Sequence, residues 1–234
     1  MFTPENIIQA FNSENWNIED FNIIGIRTAV LIPDKFNDFI GCLYKVPKLP
    51  NSSILNIQKH INTFNFSGFV KEDGTNTEKT KSAVLEYEKN VNSYQLFLAE
   101  ATTVPGVYWL NHPENNLGTA VLESNKQFLN MWKVGLHKGN VSHPAFVQTS
   151  KCDVLRDFNL NDIAGDSANK DFGLFGINCH RANLNGKTVQ IGKWSAGCQV
   201  FNEAKNLNKM LALANIFKPN QMFTYSLFKE SSIL

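Results

Sequence analysis

Hydrophobic and polar positions follow two different rhythms along this chain. Near the start, Thr3-Pro4-Glu5 supplies a capping hydroxyl, a proline at the first helical position and an acid in the first turn. Ile7, Ile8 and Phe11 follow at helical spacing, which predicts a helix over 4–13. Residues 21–32 are apolar and rich in β-branched side chains, interrupted by Gly25, and read as one strand or two. Phe36 to Val46 forms a second apolar segment, and 71–90 is the most polar stretch, either a linker or a solvated helix.

From Val91 onward short apolar runs recur at Tyr94–Ala99, Val107–Leu110, Thr119–Leu122, Ala145–Thr149, Val154–Leu155, Leu174–His180, Thr188–Ile191 and Gln199–Phe201. Turn clusters such as Pro105-Gly106, Lys138-Gly139-Asn140 and Asn185-Gly186 punctuate them. Short strands with frequent turns predict a mainly β fold with a few helices, arranged as a sandwich or barrel rather than a βαβ sheet. Asn202 is placed to cap a helix over 203–217 with Leu207, Met210, Leu211 and Ala214 on one face, and Met222–Phe228 reads as a closing strand. Residues 91–234 thus read as one β-rich domain, with 1–90 an N-terminal extension or part of the same domain.

The chain has 234 residues, with 22 Lys+Arg against 21 Asp+Glu. Near-neutral charge gives no general attraction to nucleic acid. Thirty asparagines take the place of the missing charge and favour polar turns. No apolar run is long enough for membrane insertion, and the N-terminus lacks the basic-then-apolar order of a secretory signal. The four cysteines, Cys42, Cys152, Cys179 and Cys198, show no CxxC spacing and are read as free thiols.

Candidate chemistry concentrates in 173–201, GLFGINCHRANLNGKTVQIGKWSAGCQVF. An apolar strand ends at His180, and Trp194-Ser195-Ala196-Gly197-Cys198 follows after a loop. A thiol becomes a strong nucleophile when an imidazole takes its proton, and a pairing of this kind is expected to ionise Cys198. Small residues before the cysteine permit a tight turn in which the Gly197 and Cys198 amides face the oxygen of a tetrahedral intermediate.

The segment resembles the catalytic element of the bacterial L,D-transpeptidases: His180 takes the place of the first histidine, and Ser195-x-Gly197-Cys198 matches the second element. The resemblance implies a mixed β-sandwich, Cys198 as nucleophile, His180 as base with its ring oriented by the Arg181 carbonyl, and peptidoglycan stem peptides as substrates. It implies no cofactor. Ala196 stands where the family has a second histidine, Arg181-Ala182 where it has Gly-Thr, and Gln199-Val200 where it has an apolar-Arg pair. With that arginine gone, Arg181 or Lys193 is the nearest cation for a substrate carboxylate. Trp194 either walls the cleft or simply packs. His137 either lines the substrate groove or is a solvated turn histidine.

Other readings keep their place. Cys179 adjoins His180, but neighbouring strand residues point to opposite faces, so Cys179 faces the core if His180 faces the cleft. His112, His137, His143 and His180 do not have the spacing of a zinc set, so no metal is expected. Asp157 to Asp162 resembles half of a calcium loop but reads better as a polar turn. The competing function is a non-catalytic wall-binding or structural protein of a phage or secretion machine retaining the fold. Action at the cell wall without a signal implies phage delivery, effector delivery or a trimmed leader.

Overall fold

The computed structural model describes residues 1–29, 32–139, 141–166 and 169–233. Its strands are β1 (Phe21–Arg27), β2 (Asp38–Lys45), β3 (Tyr94–Thr102), β4 (Thr119–Leu122), β5 (Lys126–His137), β6 (His143–Gln148), β7 (Cys152–Asp157), β8 (Lys170–Gly173), β9 (Cys179–Arg181), β10 (Gln199–Phe201) and β11 (Met222–Lys229). The helices are α1 (Pro4–Ser13), α2 (Ile54–Phe64), α3 (Glu78–Asn90), α4 (Val107–Asn111) and α5 (Ala204–Phe217). Eight strands close into a barrel in the order β1-β11-β5-β6-β9-β10-β3-β2, and β4-β7-β8 form a separate three-stranded sheet. The fold is mainly β, as the apolar rhythm predicts, and its large sheet is a mixed one closed on itself.

β1 runs parallel to β11, with Ile23 opposite Tyr225 and Gly25 opposite Leu227. Six consecutive residues of β1 are buried, because one face lines the barrel and the other is covered. Phe11 of α1 meets Phe228 edge-on at 5.2 Å, and Phe21 stacks with Phe217 of α5 at 5.2 Å. The start of α1 is set by the Thr3 hydroxyl, which accepts from the Asn6 N–H. Within the barrel, Trp132 and Tyr225 pack ring against ring at 4.4 Å, and both are fully buried.

The chain divides into two compact units, 1–43 with 96–234, and 44–95. The first 43 residues therefore belong with the barrel, to which they give β1 and part of β2. The second unit is an internal segment whose end, at 95, falls close to the start of the β-rich region at 91. In the 44–95 unit, Gln58 links α2 to the loop that follows: its amide donates to the Thr75 carbonyl and accepts from the Asp73 and Gly74 N–H groups. Thr77 caps α3, so the most polar stretch of the chain is largely a solvated helix.

Several local expectations change. Val107–Leu110 is a short helix, begun at Gly106, where the apolar run predicts a strand. Leu174–His180 is strand only from Cys179, and Thr188–Ile191 is irregular, joined to the fold by a bridge between Lys35 and Gln190. Asn202 does not cap α5: its side chain donates to Glu100, and Glu203 takes the cap position without a side-chain bond. Val30 and Leu31, from the predicted 21–32 strand, lie outside the described residues, as does Asn140 of the Lys138-Gly139-Asn140 turn.

Candidate active site

β9 and β10 run parallel, with Gln199 opposite Cys179 and Val200 opposite His180. Pleating puts alternate residues on alternate faces. Cys179 and Gln199 point into the barrel; His180 lies on the outer face, and Cys198, just before β10, shares that face. Two adjacent strands therefore carry the thiol and the imidazole on one face, offset by two residues in register; among the described residues the thiol bonds the Asn178 N–H and the Gly176 carbonyl and makes no hydrogen bond to His180. On the outer face Phe36, Ala182, Ile191 and Val200 form a small apolar cluster, against which Cys198 packs.

The turn carrying Cys198 is tightly determined. The Ser195 Oγ donates to the Cys198 carbonyl at 2.7 Å and accepts from the Gly197 N–H at 3.2 Å. Gly197 has φ +127°, and a Cβ there would lie 2.4 Å from the Ala120 carbonyl oxygen. These contacts correct one expectation. The Gly197 amide is spent on Ser195 and is not an oxyanion donor. The Cys198 N–H has no hydrogen-bond partner among the described residues. Ser195, fully buried, holds the turn and does not reach the cleft.

His180 is 3% exposed, and its Nδ1 lies 2.8 Å from the Arg181 carbonyl. That bond places the proton on Nδ1 and leaves Nε2 a bare lone pair. Burial pushes the ring pKa down to about 3, with His137 adding to the effect, so the ring is neutral and, at rest, only weakly basic. Burial also pushes the Cys198 thiol up to about 11, partly offset by the Asn178 N–H that donates to Sγ at 3.4 Å. The resting pair is therefore thiol and neutral imidazole, where the sequence leads one to expect an ionised thiol. The thiol itself lies 3.5 Å from the Gly176 carbonyl oxygen. Cys152 is pushed higher, to about 12, and Cys42 and Cys179 are raised too; all three are buried, while Cys198 is half-buried.

A cavity of about 530 Å³ opens beside His180, lined also by His137, His143, Arg181, Lys193 and Trp194 among others. His137 stacks on His180 at 4.0 Å and 13°, and it faces His143 across the β5–β6 pair. Asn178 fixes its orientation: Asn178 Oδ1 accepts from the Gln148 N–H, so Nδ2 donates to His137 Nδ1 at 3.1 Å. Arg181 lines the same cavity, one guanidinium nitrogen donating to the Ala182 carbonyl. Lys193 sits over the Tyr108 ring at 4.1 Å, and Trp194 is 43% exposed at the rim. Among the described residues, the lining carries two cations and no carboxylate. His112 lies elsewhere, stacked on Tyr108. No group of three or more His, Cys, Asp or Glu among the described residues is arranged to hold a metal ion; stacked imidazoles send their nitrogens along parallel planes instead of to one point. In the Asp157 region, Asn159 and Asn161 both bond Asp166, as a polar turn does.

Sequence reasoning did not find Asn178, Gln148 or Gln199. Asn178 lies inside the informative segment, two residues before His180, but an asparagine there carries no signal until its partners are known. Compared with protein-family models, curated proteins and solved structures, the chain gives no match in any of the three.

Proposed function

We propose that this protein is a cysteine acyltransferase or amidase of the L,D-transpeptidase type, acting on peptidoglycan stem peptides through a Cys198 thioester. The observation that supports the reading is the parallel β9–β10 pair, which carries Cys198 and a tautomer-locked His180 on one face, His180 lining a cationic cavity. As the thiol attacks the peptide carbonyl, its proton passes to His180 Nε2 and the carbonyl oxygen becomes an oxyanion facing the Cys198 N–H. Collapse expels the amine, which takes the proton back from His180. An incoming amine or water then attacks the thioester, losing its proton to the same nitrogen and releasing the thiol.

In the resting state the proton stays on the thiol, so its transfer to His180 depends on bound substrate raising the ring's basicity and accepting the sulfur's charge. A neutral thiol beside a neutral imidazole holds no buried ion pair, and charge separates only when the electrophile is in place. Arg181 offers a guanidinium to a stem-peptide carboxylate, with Lys193 as a second positive charge. Trp194 supplies an apolar edge. The likeness to the family rests on the site constellation, and the family's two-sheet packing is part of this proposal.

Incubation with disaccharide-peptide fragments followed by intact-mass and peptide mapping tests the reading. A thioester adduct on Cys198, absent in Cys198→Ala, supports it. A chain that binds the fragments without any adduct or product supports instead a wall-binding protein.

A further inference from the structure

Behind the nucleophile turn, inside the barrel, lies a buried polar chain that the proposed chemistry has not yet used. Gln199 is fully buried and points into the barrel. Its Nε2 donates to the Gly197 carbonyl at 3.3 Å and to the Thr103 carbonyl at 3.4 Å, and its Oε1 accepts from the Tyr225 hydroxyl at 2.8 Å. Thr103 is itself fixed. Its N–H and hydroxyl both donate to Asp38 Oδ2, at 2.9 and 2.7 Å, and its carbonyl accepts from Arg27 at 2.7 Å. Gly25 completes the arrangement, since a Cβ there would lie 2.0 Å from the Tyr225 hydroxyl oxygen.

An unpaired amide in such surroundings would be costly, so each member of the chain determines the orientation of the next. The last member is the Gly197 carbonyl. A peptide group is planar and trans, so its C=O and the following N–H point in opposite directions. Drawing the Gly197 oxygen inward therefore turns the Cys198 N–H outward, to the face that holds the thiol and His180. The Gly197 N–H is committed to Ser195, which makes the Cys198 N–H the donor on which the turn depends.

We infer that Gln199, held by Tyr225 and Thr103, is a positioning residue that aims the Cys198 N–H at the oxyanion. The inference rests on the acyl-transfer reading of the site. Its consequence is selective: reactions of Cys198 that pass through an oxyanion need Gln199, and reactions that do not are indifferent to it.

Two reagents separate those cases on the intact protein. p-Nitrophenyl acetate acylates a thiol through a tetrahedral oxyanion; iodoacetamide alkylates it by direct displacement, without one. Gln199→Met keeps the volume and removes the donor. Acylation of Cys198 in this variant is expected to fall by roughly 10²–10³ in the maximal rate with KM little changed, the loss typical of one oxyanion donor. The iodoacetamide rate should stay within about twofold of wild type, since the step it measures makes no oxyanion. Tyr225→Phe, a milder change, leaves the Gln199 amide free to turn and should produce a smaller loss in acylation only. Equal losses in both reactions would mean that Gln199 merely supports the fold, and unchanged acylation would mean that it aims nothing; either overturns the inference. A wild-type chain that iodoacetamide labels at Cys198 but the ester never acylates is a different result: it defeats the acyl-transfer reading itself, and the inference with it.

Discussion

His60, in the 44–95 unit, and His180, on the barrel, are chemically alike and differently placed. Each packs against other rings, His60 against Phe64 and Tyr87, His180 against His137 and His143. Burial lowers the pKa of both. His60 Nε2 lies 2.8 Å from the Tyr87 hydroxyl, which donates to the Pro47 carbonyl, so the proton chain ends on the backbone. His180 anchors its proton on the Arg181 carbonyl and lies on a strand face that also carries a thiol. The 44–95 unit contains no cysteine. A neutral buried histidine is thus common to a packing position and to the proposed chemical one. What distinguishes them is the neighbour on the same face.

The largest effect that would break this comparison is on catalysis. His180→Ala should slow acylation of Cys198 by a carbapenem by roughly 10²–10⁴, as loss of a general base does, while His60→Phe leaves the rate within about twofold. Stopped-flow or mass-resolved acylation of the two variants decides it, and equal rates would erase the distinction between the two rings. Next in size is the pH response of the thiol. With Cys198 raised to about 11, its alkylation by iodoacetamide should climb about tenfold per pH unit from about pH 7 to about pH 10, without levelling off. A plateau near neutrality would mean an ionised resting pair. Because Cys198 is the most exposed of the four thiols, it should also be the first labelled.

A smaller effect concerns binding. Arg181→Ala should raise KM for carboxylate-bearing stem peptides by about tenfold and change kcat little, and Arg181→Lys should recover part of the loss because the charge remains and the fork does not. Equal effects on substrates with and without the terminal carboxylate would remove Arg181 from recognition. The smallest effect is on stability. His60 is harder to protonate folded than unfolded, so the unfolded chain gains protons first and stability falls as pH drops below about 6.5. Melting curves should show that slope, and His60→Phe should flatten it by a few degrees at most; an unchanged slope would assign the acid sensitivity to the barrel histidines.

How much of this was legible beforehand depended on sequence distance. Cys198 and His180 stand out because base, turn and nucleophile lie within one segment, and strand alternation alone separates His180 from Cys179. Arg27, Asp38, Thr103, Gln199 and Tyr225 meet only when the barrel closes, and nothing in their local patterns marks them as partners. Gly25 reads as an interruption of a strand; it is a gap filled by a tyrosine hydroxyl. The Gly197 amide was misjudged for a related reason, since Ser195, valued for its small size, also carries the hydroxyl that consumes it. α2, by contrast, carries a legible pattern, Ile54, Ile57, Ile61 and Phe64 at helical spacing behind the Ser53 cap, so its sequence alone predicts it. The helix at Val107–Asn111 is too short for any period to show.

The parallel pairing of β9 and β10 has a further consequence. Parallel neighbours cannot be joined by a tight hairpin, so the chain from 182 to 198 must travel the length of the pair outside the barrel before it can begin again. That excursion supplies Asn183, Leu184, Lys193 and Trp194 to the cavity rim, and Leu184 and Val189 on it are largely exposed. Scaffold and specificity are therefore carried by separate stretches of polypeptide. Lengthening, shortening or exchanging 183–190 would reshape the mouth while the strands keep their register. The connection is an interchangeable part, through which a lineage or an engineer could change what the cavity admits.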